Sequence, residues 1–302
     1  MPEYLSALEG AARVAVVGPF SGPRSAWGRL LVDSLVVAGD GVRWMLYNDG
    51  GDADLGRRRA EEIVRDGGYS AVIGHFNSRG ARAALPLYRA AGIPCLLPLA
   101  TEPGLTALSG GLVLRWCATD DGQVLTLLRA LVAAGHTVID VVTDGNPYMA
   151  GLASRFVTTD LDGVLIRMLL PGRVASGPRG AVVVVAVHRE AALLARRLRA
   201  RGFRGQLAFT DDCAVDEFAE LGGSAVTGAL VTTQRGGAAG RVDTAVACLA
   251  SALAADPGLV GPDLIATVKE HSPVAFTAAG EPAFDGWTVT RLPLGGQAAI
   301  AA

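Results

Sequence analysis

Lysine is nearly missing from this chain: Lys269 is the only one, and arginine supplies the rest of the 27 basic residues. Charge of either sign is sparse, at 19% of residues with a formal net charge of −2. Neutralising a phosphate backbone or an anionic bilayer takes a clustered surplus of cations, so neither nucleic acid nor a lipid surface is an expected partner. Long apolar runs are missing too. Arg, Asp, Gly or Pro breaks each one well short of the ~20 residues a spanning helix needs, so no membrane insertion is expected. Only four cysteines occur, Cys95, Cys117, Cys213 and Cys248. They are far apart and form no CxxC pair, which reads as buried thiols rather than a disulfide framework or a metal site.

Catalytic and cofactor motifs are absent as well. There is no G-x-G-x-x-G, no G-K-[ST] and no G-x-S-x-G. The Gly-rich turn after the first strand carries Pro19 and Pro23, which remove amides that a phosphate would use. The four histidines, His75, His136, His188 and His271, lack metal-ligand spacing. No cofactor and no metal are expected. The stretch Met1–Glu9 has neither the basic n-region nor the apolar h-region of a secretory signal. That favours a cytoplasmic location, or an extracytoplasmic one if an export signal has been removed.

Half of the residues are hydrophobic, and they come in a regular rhythm. Short apolar runs at Val14–Val17, Trp44–Tyr47, Ala71–Ile73 and Cys95–Leu97 alternate with amphipathic stretches at Leu30–Val37, Leu55–Arg65 and Ala81–Ala91. Continuous four- to six-residue strands, each followed by a helix, indicate a parallel sheet covered on both faces. The rhythm restarts after about residue 120, with strands at Val138–Val142, Leu165–Leu170, Ala181–Val187 and Leu207–Phe209. Helices are expected from Met149 and at Glu190–Arg201. This predicts an α/β protein of two doubly wound lobes with a hinged cleft. The first lobe takes residues 1–118 plus about 235–283, the second 119–234 plus about 284–302. A Gly-rich crossing is expected at Val231–Gly240, helices at Val242–Ala254 and Asp263–His271, and a closing strand at Gly286–Leu292.

In open α/β sheets, ligands sit beyond the carboxyl ends of the strands. The loops there contain Gly18–Gly28, Gly74–Arg79 and Pro98–Pro103. The runs VAVVGPFSGPRSAWG, AVIGHFNSRG, AGIPCLLPLATEPGLT and VLRWCATDD, in that order and spacing, resemble the leucine/isoleucine/valine-binding protein family, the substrate-binding proteins of branched-chain amino-acid ABC transporters. The likeness is strong over the first 120 residues and weak beyond them. It implies a type I periplasmic binding protein fold that closes on its ligand, and an ABC permease as partner if the protein is exported.

An amino-acid head group needs donors beside acceptors, which hydroxyls and irregular backbone supply. The resemblance implies that the Ser78 hydroxyl and the Thr101 amide hold the carboxylate, and that the Thr101 hydroxyl and the Leu99 carbonyl take the ammonium. Trp27 and Phe76 would line the side-chain end, Trp27 from a loop. In the second lobe, matching positions fall on Tyr148, on His188 (a pocket polar group or an exposed loop residue) and on Asp211. Asp211 would pair with the ammonium on closure, in place of the family's longer glutamate. The family's first-lobe disulfide would fall near Gly51 and Asn77, where no cysteine stands. The segment after Gln234 is shorter than in the family, which leaves the side-chain pocket more open. The expected function is therefore non-catalytic binding of a small amino-acid-like ligand. The alternative is an enzyme or biosynthetic accessory that has recruited the fold for an amino-acid-derived intermediate.

Overall fold

The computed structural model describes residues 11–38, 41–170, 180–284 and 286–292; the Met1–Glu9 stretch lies outside that range. By contact density the chain divides into two units, Met1–Ala118 with Ala238–Asp285, and Thr119–Gly237 with Gly286–Ala302. The chain therefore passes from one unit to the other three times.

The first unit opens with β1 (Ala12–Gly18), α1 (Ser25–Val37), β2 (Val42–Asn48), α2 (Ala53–Asp66), β3 (Ala71–Gly74), α3 (Ser78–Ala91), β4 (Cys95–Leu97) and β5 (Val113–Arg115). Its five strands run parallel in the order β2-β1-β3-β4-β5. Val14 to Val17 are all fully buried, as a strand covered on both faces requires. The helices start and stop on local chemistry. The Asp52 carboxylate accepts from the Leu55 amide at 2.7 Å and caps α2, and Gly92 takes the left-handed conformation that ends α3. At the end of β3, Gly74 has φ +121°, and a Cβ there would lie 1.9 Å from the Val17 carbonyl oxygen. Only glycine lets the chain leave the sheet at that point.

The second unit contains α4 (Asp120–Ala133), β6 (Val138–Thr143), α5 (Pro147–Thr158), β7 (Leu165–Met168), β8 (Gly180–Val185), α6 (His188–Ala200), β9 (Gln206–Phe209), α7 (Asp216–Gly222), β10 (Leu230–Gln234) and β11 (Trp287–Arg291). The sheet order is β11-β10-β9-β8-β6-β7, parallel except for β11, which runs antiparallel to β10. Strand alternation splits the core in two. Val182 and Val184 join Ala191, Leu194, Ala195 and Leu198 of α6 on one face. Ala181, Val183 and Val185 join Leu127 and Leu131 of α4 and Leu152 and Phe156 of α5 on the other. Each fully buried Val, Leu or Phe contributes about 1.5–3 kcal/mol, so both layers are needed.

The chain returns to the first unit through α8 (Ala238–Ala255) and α9 (Gly261–His271). By length and composition α8 is apolar enough to cross a membrane. Its buried positions Val242, Val246, Leu249 and Leu253 follow a helical stripe, however, which marks a helix packed on one face. The Ser34 hydroxyl of α1 bonds Asp243 of α8 at 2.5 Å.

Two expectations need correcting. The Val231–Gly240 segment begins as strand β10 and turns irregular only at Arg235-Gly236-Gly237, because the glycines obscure a strand that ends just before them. Helix α4 was not expected at all; its first residues had been read only as a boundary between lobes.

Candidate functional site

In the first unit the predicted residues collect at the carboxyl ends of β1, β3 and β4. Ser78 is the first residue of α3 rather than a loop residue, and is buried. Its Oγ accepts from the Glu102 amide at 3.2 Å, so the loop after β4 is tied to the start of α3. Leu99 and Thr101 are buried in that same loop. Phe76, also buried, follows β3 and lies against Gly18 at the end of β1. Trp27 sits in the first turn of α1, not in a loop. It is buried, and its indole Nε1 has no hydrogen-bond partner among the described residues.

Sequence reading missed the residue that shapes this loop. Arg115, the last residue of β5, is completely buried. Its guanidinium donates to the carbonyls of Ala100 at 3.3 Å and Glu102 at 2.8 Å, on either side of Thr101. It also makes a two-point ion pair with Glu281, one contact at 2.9 Å from Nε and a closer one from the terminal nitrogen. Glu281 is in turn held by the Thr106 hydroxyl at 2.6 Å. A planar fork with five donors is the group that can grip a carboxylate and two carbonyls together.

A second buried chain lies behind β3. The Asp49 carboxylate faces His75 Nδ1 at 3.5 Å, and His75 Nε2 meets the Tyr88 hydroxyl at 2.9 Å. Burial pushes the Tyr88 phenol well above its ordinary pKa. The Gly51 amide donates to Asp49 at 2.9 Å, which fixes the turn after β2. A Cβ on Gly51 would lie 2.7 Å from the Asn77 side-chain nitrogen. The two positions that the resemblance marks for a disulfide are thus neighbours, with the Asn77 amide filling the space.

In the second unit, the N-terminal turn of α4 organises the predicted residues. Asp120 and Gln123 lie three positions apart, hence on one helix face, and both are buried. The Tyr148 hydroxyl donates to Asp120 at 2.8 Å, and Gln123 Nε2 donates to Asp211 Oδ1 at 2.6 Å. Tyr148 and Asp211 are therefore each held by the same helix end. His188 is not in an exposed loop. It is buried as the first residue of α6, with Nε2 3.0 Å from Glu217 Oε2. Glu217 also pairs with Arg189, so the His188 imidazole is directed at α7.

Among the described residues no cluster of three His, Cys, Asp or Glu could hold a metal. All four cysteines are free and buried, and burial raises the pKa of Cys95, Cys213 and Cys248. An open cavity of about 640 Å³ lies on the second unit beside Arg196, Arg199 and Arg204. Those guanidiniums bond carbonyls of the surrounding turns, and none of the predicted residues lines it.

A sequence profile described as periplasmic binding protein matches residues 11–160. The Leu/Ile/Val-binding protein of Citrobacter freundii is 28% identical over 246 residues, which are 73% of this chain and 66% of that protein. The Leu/Ile/Val-binding protein of Escherichia coli K12 is 27% identical over 252 residues, 75% of this chain and 68% of its own. The chain thus spans about two thirds of these relatives. A leucine-binding protein from Thermotoga maritima superposes with a TM-score of 0.78 at 20% identity, covering 94% of this chain and 96% of its own. A branched-chain amino-acid transporter substrate-binding protein from Streptococcus pneumoniae, solved with isoleucine, gives 0.75 at 15%, covering 95% and 97%. At these identities the two structures establish the fold.

Proposed function

We propose that the chain is a non-catalytic receptor for a small amino-acid-like molecule, a reading supported by its match to the periplasmic binding protein profile over residues 11–160 and by its similarity to Leu/Ile/Val-binding proteins. The observation that carries this reading is the Thr101 loop. Arg115 grips the carbonyls on both sides of Thr101, and Ser78 accepts the next amide along. Hydroxyl and amide donors on a loop fixed in this way would make a preorganised seat for a carboxylate, with little ordering left to do on binding. In the second unit Asp211 is the proposed partner of the ammonium, and Tyr148 a further contact.

An ABC permease is the proposed partner. Of the two expected locations, the family's periplasmic character supports the extracytoplasmic one and gives no support to the cytoplasmic one. The test is a thermal-shift screen of the twenty L-amino acids and their amides, followed by calorimetry. A molecule bound only by the folded state at a hundred times its Kd adds about 2.7 kcal/mol of stability. A clear upward shift with at least one amino acid is expected, and it should vanish for the N-acetyl derivative. A shift that survives N-acetylation would mean that the head-group reading is wrong.

A further inference from the structure

Five arginines, Arg196, Arg197, Arg199, Arg201 and Arg204, fall within nine residues of a chain whose formal net charge is −2. Three of them, Arg196, Arg199 and Arg204, line the open cavity of about 640 Å³ on the second unit. Arg196 and Arg199 stand three positions apart near the end of α6, hence on one helix face, and Arg204 lies in the turn before β9. The end of α7 and the turn after it complete the wall with Glu220, Ser224 and Thr227. Helix α6 begins at His188, beyond the carboxyl end of β8. A rise of about 1.5 Å per residue puts Arg199 roughly 16 Å further along. The cavity is therefore at the amino ends of the strands, away from Tyr148, His188 and Asp211.

Backbone carbonyls, not acids, hold the three guanidiniums. Arg196 Nη1 donates to Leu221 at 3.4 Å, Arg199 Nη1 to Gly205 at 2.9 Å and Arg204 Nη1 to Arg199 at 2.9 Å. A carbonyl fixes a guanidinium without cancelling its charge. Among the described residues none of the three forms an ion pair. Burial lowers the pKa of Arg199, and the Arg204 charge beside it lowers it further. Against three positive charges the cavity sets one carboxylate, Glu220. The carboxyl end of α6 adds roughly half a negative charge, which leaves an excess of about one and a half. That excess needs an anion from outside.

We propose that this cavity binds a phosphate dianion, free or carried by a small phosphomonoester, at a site separate from the amino-acid site and independent of that reading. A phosphomonoester carries about −1.5 to −2 charges at pH 7, which matches the excess, whereas a monocarboxylate falls short of it. The planar fork of arginine fits phosphate oxygens. The Nε and Nη2 groups of Arg196 and Arg204 make no hydrogen bond among the described residues, so they are available as donors. The Ser224 and Thr227 hydroxyls add neutral donors. The volume lies within the range of about 300–1,000 Å³ usual for small-molecule sites. Leu221 is the one large apolar side chain among the lining residues, so the body of the ligand is small and hydrophilic.

The experiment is calorimetry on the full chain at low salt and pH 8, with inorganic phosphate, sn-glycerol 3-phosphate and dimethyl phosphate. One equivalent of at least one of the first two should bind with a Kd below about 1 mM. Dimethyl phosphate, fixed at a single charge, should bind roughly tenfold more weakly. Arg196 is exposed and makes one 3.4 Å contact, so Arg196→Gln should keep its melting temperature while the affinity falls about tenfold. Adding Arg204→Gln should bring the loss to roughly a hundredfold. Arg197 is exposed on the same helix but does not line the cavity, so Arg197→Gln should change the affinity by less than about twofold. Equal losses from Arg197→Gln and Arg196→Gln would mean diffuse attraction to a basic surface and would overturn the proposal. Equal affinity for dimethyl phosphate and the dianions would overturn it too, as would no binding of either soluble dianion. Binding to phosphatidylcholine vesicles that contain phosphatidic acid, with no binding of the soluble dianions, assigns the arginines to a membrane surface and likewise refutes the site.

Discussion

The two units share an architecture and differ in how they hold polar groups at the carboxyl ends of their strands. In the first unit a buried cation does the work: Arg115 neutralises Glu281 and fixes the carbonyls around Thr101. In the second, neutral donors do it: Tyr148 holds Asp120 and Gln123 holds Asp211. The first arrangement fixes the loop that carries Thr101, the residue proposed to meet a carboxylate. The second places a phenol and a carboxamide as donors to the two carboxylates, which is compatible with the proposed ammonium contact. The difference teaches that similar strand–helix units can anchor the polar groups at their strand ends by opposite means, one through a buried cation and the other through neutral donors.

The sharpest way to break the comparison is Arg115→Met. It removes the guanidinium from the Glu281 carboxylate and from the carbonyls of Ala100 and Glu102. Removing one member of a buried pair costs about 3–5 kcal/mol, to be read as a drop in the denaturation midpoint with an unchanged slope. Thr101→Ala comes next. It deletes the proposed hydrogen bond to a charged head group, worth about 1.5–3 kcal/mol, so calorimetry should show roughly a ten- to hundredfold weaker affinity. Tyr148→Phe removes the phenol from Asp120 and should cost about 1 kcal/mol, a change of a few-fold in affinity. Equal losses of stability from Tyr148→Phe and Arg115→Met would erase the distinction between neutral and cationic support. The smallest effect is chemical. Burial of all four thiols, with the pKa raised at Cys95, Cys213 and Cys248, predicts no reaction with a thiol reagent at pH 8 in native protein, and four equivalents on unfolding.

Much of the fold could be read in the sequence wherever apolar residues were continuous, as in Val14–Val17 or Cys95–Leu97, because such runs have one use in a chain of this kind. Helix α4 was lost because its polar opening, Asp120 to Gln123, looks like a linker until Tyr148 and Asp211 are seen to face it. Strand β10 was lost to the glycines that follow it. Of the candidate site, the positions of Ser78 and Thr101 beyond the ends of β3 and β4 were accessible through motif order. Arg115 and Gln123 were not, since their partners Glu281 and Asp211 stand 166 and 88 residues away along the chain. An arginine inside VLRWC signals burial with a counterion, but nothing local says which acid supplies it. Trp27 was expected in a loop and stands in the first turn of α1, and the exposed-loop alternative for His188 gives way to the buried start of α6, because helix starts and loops share the same turn residues.

The separation of Arg115 from Glu281 also matters while the protein is being made. Chains emerge from the ribosome N-terminus first, and domains usually fold in that order. Here the earlier unit cannot settle its buried guanidinium until residue 281 has been synthesised, by which time strands β6 to β10 of the later unit are already available to pair. The Arg115–Glu281 pair is therefore a late contact in synthesis, although all five strands of the first sheet precede Glu281 in the chain.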